Sequence, residues 1–266
     1  MFALAMLPVR GGLAQAAVDV SVSVPPPDLP VYDQPPLPGD GYLWTPGYWA
    51  WNPDNQDYYW VPGTWVMAPE ADYLWTPGYW AVSGALFLWQ PGYWGPRVGF
   101  YGGVDYGYGY GGHGYQGGYW QGGHVFYNRS VNNLANARVT NVYNKAVTDN
   151  VTVGRVSYNG GDGIQAQPNS EERAAGHDRH IGASPAQQQQ TVQARNDPAQ
   201  HFNRNQGKPP VAATPRPGFR AGTSPNGVPA PTTQRPPLSS PSARPPSHPV
   251  EPPHPPARPA EPPRSP

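Results

Sequence analysis

One six-residue pattern, Trp-x-Pro-Gly-x-Trp, occurs four times in close succession, at residues 44–49, 60–65, 75–80 and 89–94. The copies begin at Trp44, Trp60, Trp75 and Trp89, so successive starts are spaced by 16, 15 and 14. A period this short describes one small supersecondary unit in tandem, which buries its apolar face only by stacking on neighbours. Within the unit, proline fixes φ at a value that suits the second position of a turn, and glycine tolerates the positive φ that a type II turn needs at its third. Pro46-Gly47, Pro62-Gly63, Pro77-Gly78 and Pro91-Gly92 are therefore expected to be hairpin turns. Each would bring the two tryptophans of its own motif face to face: Trp44 with Trp49, Trp60 with Trp65, Trp75 with Trp80, and Trp89 with Trp94. A type II turn matches the twist of a tight two-residue hairpin poorly, so a slightly longer loop with the same Trp contact is the variant of this expectation.

The flanks read as short strands. Gly41-Tyr42-Leu43 and Leu86-Phe87-Leu88 lead into turns, and Tyr48-Trp49-Ala50-Trp51 and Thr64-Trp65-Val66-Met67 lead out, all rich in aromatic and β-branched residues. Asn52-Pro53-Asp54-Asn55, Ala68-Pro69-Glu70-Ala71 and Ser83-Gly84 break the pattern as connectors. The expected fold is mainly β, an antiparallel array of short aromatic hairpin repeats, followed by a long disordered Pro-rich C-terminal tail. Eight repeat tryptophans do not by themselves offset the entropy of ordering residues 41–95. The array must pack on other segments, on a second copy or on a ligand.

Composition shifts divide the rest of the chain. Residues 1–17 hold a short apolar stretch and then Ala14-Gln15-Ala16, an A-x-A cleavage pattern, and are read as the remnant of a signal peptide. Residues 18–40 are a Pro-rich lead. The module of 41–123 joins the repeats to a tract, 95–123, in which nearly every second residue is Gly and Tyr is interleaved; its Tyr115-Gln116-Gly117-Gly118-Tyr119-Trp120 is a degenerate echo of the motif. Val, Thr and Asn over 124–160 suggest short strands with Asn at the bends. In 161–208, Ser184-Pro185 and Asp197-Pro198 each place a capping side chain before a proline, so two short polar helices are expected. From 209 to 266 more than one residue in three is Pro, which leaves too little apolar surface to offset ordering.

Candidate chemistry is sparse. The chain has no Cys, which removes disulfides, thiolate metal sites and cysteine nucleophiles together. With 17 basic and 17 acidic residues it has no net charge and no basic stripe, so nucleic acid is not an expected partner. No apolar run is long enough for a transmembrane helix. Gly107-x-Gly109-x-x-Gly112 fits the dinucleotide fingerprint but sits in a Gly-Tyr tract without the strand and helix that the mechanism needs. His177 and His180, and His113 and His124 with Asp105, lack the further ligands of a metal site. Glu171-Glu172 suits the first turn of a helix better than acid-base catalysis. No catalytic set, no cofactor and no metal are expected.

The motifs resemble the YXWGXW or WXXGXW repeat-containing exported bacterial proteins. The resemblance extends to Pro25-Pro26-Pro27-Asp28-Leu29-Pro30, Val98-Gly99-Phe100-Tyr101-Gly102-Gly103, Phe126-Tyr127-Asn128-Arg129-Ser130, Arg155-Val156-Ser157-Tyr158-Asn159-Gly160-Gly161 and Val211-Ala212-Ala213-Thr214, most of residues 25–220. It implies an exported protein in the periplasm or on the outer-membrane surface of a Gram-negative bacterium, and supplies no catalytic residues. The expected function is a non-enzymatic envelope protein with a structural or adhesive role through an aromatic β surface. The alternative is a carbohydrate-binding module for cell-wall glycan or extracellular polysaccharide, in which exposed Trp and Tyr rings stack on sugars. Self-association and a glycan or envelope component are the candidate partners.

Overall fold

The structure is a computed structural model and describes residues 20–135, 137–147 and 155–218. Residues 1–17, where a signal-peptide remnant is expected, and the Pro-rich tail beyond residue 218 lie outside the described residues. A short strand, β1 (Ser21–Val22), precedes the Pro-rich lead, after which the chain enters β2 (Tyr42–Thr45), β3 (Tyr48–Asn52), β4 (Asp57–Val61) and β5 (Gly63–Met67). The pattern then recurs as β6 (Leu74–Thr76), β7 (Tyr79–Ser83), β8 (Leu86–Gln90) and β9 (Tyr93–Gly95).

The hairpins do not turn at Pro-Gly. β3 pairs antiparallel with β4 and β2 with β5, so Trp49 faces Trp60 and Trp44 faces Trp65. In the second set β7 pairs with β8 and β6 with β9, setting Trp80 against Trp89 and Trp75 against Trp94. Register is continuous across each Pro-Gly: Thr45 opposes Thr64 and Tyr48 opposes Val61, with no residue gained or lost on either strand between the two pairs. Two consecutive motifs therefore make one long hairpin, bent where both strands carry Pro-Gly. Proline has no N–H to give to a ladder, so the bend falls where pairing is already broken. The reversals lie at the polar connectors instead, between Asn52 and Asp57 and between Ser83 and Leu86. These tips explain the uneven spacing: the first is longer by two positions than the second, matching motif spacings of 16 and 14.

The Gly/Tyr tract follows as a small hairpin of β10 (Asp105–Gly107) and β11 (Tyr110–Gly111). β12 (Gly118–Gln121) and β13 (His124–Asn128) form another, joined in parallel by β14 (Val142–Tyr143). Of the short strands expected over 124–160, from Arg138 to Tyr143 and from Val151 to Tyr158, the first is irregular at residues 138–140 up to β14, and residues 151–154 of the second lie outside the described residues. β15 (Tyr158–Asn159) adds in parallel to β7, and β1 covers the other edge of that hairpin on β8.

Among the described residues three helices follow, α1 (Ser170–Ala175), α2 (Pro185–Asn196) and α3 (Phe202–Asn205), with a single 3₁₀ turn at Pro198–Gln200. Ser184 caps α2 and completes a capping box with Gln187, and Asp197 caps the 3₁₀ turn, as the Ser-Pro and Asp-Pro signals imply. The last strand among the described residues, β16 (Ala213–Thr214), pairs in parallel with β5. Order therefore runs past residue 209, where the composition had suggested the disordered tail would start. Apolar content misjudges this segment because what holds it is backbone pairing and polar contacts, with Thr214 buried.

The lead and the C-terminal segment wrap the repeats and receive their indole N–H groups: Trp49 donates to Asp28 O, Trp65 to Pro35 O, Trp60 to Ala212 O and Trp94 to Gln187 Oε1. A Pro-rich strand suits this role, since its carbonyls accept while few N–H groups of its own need partners. The shortfall in core is thus met within the chain.

Candidate functional site

The four motifs converge as two crossed pairs. In every pair, Trp44–Trp65, Trp49–Trp60, Trp75–Trp94 and Trp80–Trp89, the ring centroids lie 5.3 Å apart with planes inclined by 55–68°. Edge-to-face packing of this kind is favoured by the ring quadrupole and adds to area burial. All but Trp89 of the eight are buried. The exposed Trp platform considered for glycan stacking is therefore not formed by the repeats.

Glycine has a different task from the one expected. Gly47, Gly63, Gly78 and Gly92 have no positive φ. A Cβ on Gly47 would lie 2.3 Å from Trp60 Cζ2 and 2.8 Å from Gly63 N, and one on Gly92 would lie 2.5 Å from Trp75 Cζ2 and 2.7 Å from Gly78 N. The paired glycines stand back to back, and each lets an indole from the opposite strand lie over the corner.

Several contacts tie the two bent hairpins, among them Tyr58 edge-on to Trp80 at 5.5 Å. Trp80 Nε1 donates to Trp49 O at 2.9 Å, Tyr48 stacks on Trp89 at 4.9 Å, and the Tyr110 hydroxyl reaches Trp75 O at 2.9 Å and Trp44 O at 3.3 Å. Tyr106 likewise donates to Gly78 O. The tyrosines of the Gly-rich tract thus serve as struts that satisfy carbonyls near the bends, and Gly109, at φ +94° and within 2.4 Å of Gly117 N at its Cβ position, permits the close turn between them.

Between the hairpins is a cavity of about 220 Å³ lined by the prolines of all four motifs, Pro46, Pro62, Pro77 and Pro91. Trp75, Trp89, Tyr48 and Tyr106 contribute rings, and α2 closes one side with Gln187, Gln190 and Thr191. No carboxylate, amine, guanidinium or imidazole lines it. Burial pushes the phenols of Tyr48 and Tyr106 above their usual pKa, so they remain neutral. The helix residues were not singled out from the sequence. Their signal was the spacing of Gln187, Gln190 and Ala194, which puts them on one buried face of an otherwise polar helix.

The other candidates take structural places. Gly107-x-Gly109-x-x-Gly112 spans the β10–β11 hairpin, with no helix N-terminus for a phosphate. Glu171 and Glu172 occupy the first turn of α1, where Glu172 Oε2 accepts from Asn169 N–H and Oε1 lies 2.9 Å from His113 Nδ1. His124 lies 3.9 Å from Asp40. Arg97 grips Asp178 through two hydrogen bonds of 2.9 Å and holds its carboxyl below the usual range, while His180 stacks on Tyr93 at 3.7 Å. Among the described residues no group of three or more metal-ligating side chains is present, and no helix is long and apolar enough to cross a membrane.

An aromatic group does reach the surface elsewhere. On the β12–β13–β14 sheet, Tyr119, exposed, stacks on Phe126 with centroids 5.3 Å apart and planes 8° apart, and Tyr143 leans on Tyr119 at 5.3 Å. This sheet contains the degenerate motif, whose Trp120 turns inward to donate to Tyr73 O.

Neither the curated proteins nor the solved structures contain a match to the chain. The WXXGXW repeat model matches in two copies, at residues 39–66 and 71–95. Each copy coincides with one bent hairpin and hence with two Trp-x-Pro-Gly-x-Trp motifs, so the matched unit and the folding unit are the same. The chain carries two copies of the WXXGXW repeat.

Proposed function

We propose that this is a non-enzymatic, exported protein of the Gram-negative cell envelope, in which the repeats form a structural framework that presents an adhesive surface. The observation that carries the proposal is the division of the aromatic residues. The repeat tryptophans are spent on core, whereas Tyr119, Phe126 and Tyr143 form a continuous aromatic patch on a sheet face. The neutral lining of the central cavity also favours binding or support over acid-base chemistry. The test is retention of the full chain on isolated envelopes, compared with a Tyr119→Ala/Phe126→Ala variant. Weaker retention at unchanged melting temperature is expected. Equal retention would overturn the adhesive role, and release of soluble products from the envelopes by the purified chain would overturn the non-enzymatic one.

The second reading, binding of cell-wall glycan or extracellular polysaccharide, draws on the same patch. Stacked, partly exposed rings beside phenolic hydroxyls give an apolar face and hydrogen-bonding edges together, which is what the C–H face and hydroxyl rim of a pyranose require. Retention on purified peptidoglycan or polysaccharide, competed by its soluble fragments, is the expected outcome.

A further inference from the structure

The geometry points to the cavity enclosed by the four Pro-Gly bends as a binding site for one neutral sugar residue, held by Gln187 and by the rings of Trp75, Trp89 and Tyr48. This carries the glycan reading from a polymer on the outer face to a single ring in the interior, and stands whether or not the outer face adheres.

Size, charge and an unspent donor converge on that ligand. At about 220 Å³ the cavity has the liquid volume of about seven waters at ~30 Å³ each, and lies below the ~300–1,000 Å³ typical of drug-sized ligands. One hydroxylated ring fits that space, and an oligosaccharide does not. A charged ligand would enter without a counter-charge, because every lining residue is neutral, and burying an unpaired charge is costly.

A purely apolar ligand is disfavoured by Gln187. The residue is 8% exposed, and its Oε1 accepts from Trp94 Nε1 at 2.9 Å and from Ser184 N at 2.8 Å. Those bonds fix which way the amide points. They leave the Nε2 hydrogens with no protein partner among the described residues, on a side chain that lines the cavity. An occupant with an acceptor oxygen would satisfy them, whereas an apolar occupant that displaced solvent from them would leave them unmet at a cost in free energy. By contrast, Gln190 is engaged at both ends of its amide: Nε2 donates to Thr214 Oγ1 and Oε1 accepts from Gly218 N. Tyr48 and Thr191 bond to one another at 3.0 Å on the same wall and retain lone pairs to receive a ligand hydroxyl. The way in passes Pro91, which is exposed, and the half-buried Ala183 and Trp89.

The test is titration of the full-length protein with glucose and with N-acetylglucosamine, followed by the indole N–H resonances in nitrogen–proton NMR spectra. Two variants accompany it. Gln187→Glu keeps both oxygen-accepted bonds and removes the amide donor, and Ala183→Phe narrows the entrance without touching the helix cap. The expected result is saturable, one-site shifts centred on Trp75 and Trp89, weakened about tenfold or more by Gln187→Glu and abolished by Ala183→Phe. Absence of shifts with both sugars at millimolar concentrations would overturn the site. So would binding that both folded variants leave unchanged, or shifts mapping only to Trp120 beside the outer patch. Polysaccharide retention lost in Tyr119→Ala/Phe126→Ala, with the monosaccharide shifts intact, would separate the outer surface from the cavity and leave the cavity standing.

Discussion

At the scale of single residues, the motif's glycine is set by contact and its tryptophans by pairing. The letters Pro-Gly suggest a turn that needs positive φ, yet Gly47, Gly63, Gly78 and Gly92 have ordinary φ and are held to glycine by the indole and the backbone that press on them. Gly47→Ala is expected to lower stability by about 3 kcal/mol or more, since both obstacles, the Trp60 ring and Gly63 N, belong to packed elements that cannot yield cheaply. Gly39→Ala provides the control: nothing lies within 4 Å of its Cβ position, and its φ is not positive. It should be neutral or stabilising by up to about 1 kcal/mol. Urea denaturation of the two variants measures the contrast, and equal stabilities would mean that close approach does not fix the glycine. Tyr110→Phe belongs at the same scale. It removes the hydroxyl that serves Trp75 O and Trp44 O in the interior, and should cost about 1–3 kcal/mol in the same assay.

At the scale of elements, the unit is two motifs long, and this is where the sequence was only partly legible. The strands, the mainly β architecture and the α2 cap could be read from local chemistry, because β-branched runs and Ser-Pro act on their own neighbourhood. Which tryptophan meets which could not, because Trp44–Trp49 and Trp44–Trp65 are both compatible with a Pro-Gly between strands. What decides is the tip. Asn52-Pro53-Asp54-Asn55 and Ser83-Gly84 were read as connectors between hairpins, whereas they reverse the chain, the second with Gly84 at φ +60°. The cavity was illegible for a related reason, as it needs α2, which lies far along the chain from the bends it closes. Continuous register makes a sharp prediction. One Ala inserted between Gly47 and Tyr48 shifts the register of β3 by a single position and turns Trp49 and Trp51 to the opposite face. Loss of the cooperative unfolding transition and red-shifted Trp emission should follow, whereas one Ala inserted between Asp54 and Asn55, in the exposed first tip, should change stability by less than about 1 kcal/mol.

At the scale of the whole molecule, the protein is held together by polar groups buried around an aromatic core. Four indole N–H groups of the repeats, those of Trp49, Trp60, Trp65 and Trp94, end on the lead and on the C-terminal segment, so residues 41–95 alone should not fold, while residues 20–218 should unfold in one transition by circular dichroism. The same construction fixes how the protein responds to alkali. Burial raises the phenol pKa of Tyr32 in the lead, Tyr58 and Tyr59 in the first hairpin, Tyr106 and Tyr115 in the Gly-rich tract and Tyr127 in β13. In the unfolded chain these groups ionise at about pH 10. Between that pH and their higher native values the unfolded state holds fewer protons than the folded one, so stability falls as pH rises, by about 1.4 kcal/mol per pH unit for each such tyrosine. Below the unfolded value the contribution is fully present and flat. With a total stability of about 5–15 kcal/mol, several tyrosines acting together would exhaust it within about one to two units above pH 10. Urea midpoints measured from about pH 7 to pH 12 should therefore stay level up to about pH 9 and then collapse, with tyrosinate absorbance rising in step with unfolding. Tyrosinate appearing well before the loss of structure would show that these hydroxyls reach solvent in the native state, and would remove them from the core that holds the repeats in place.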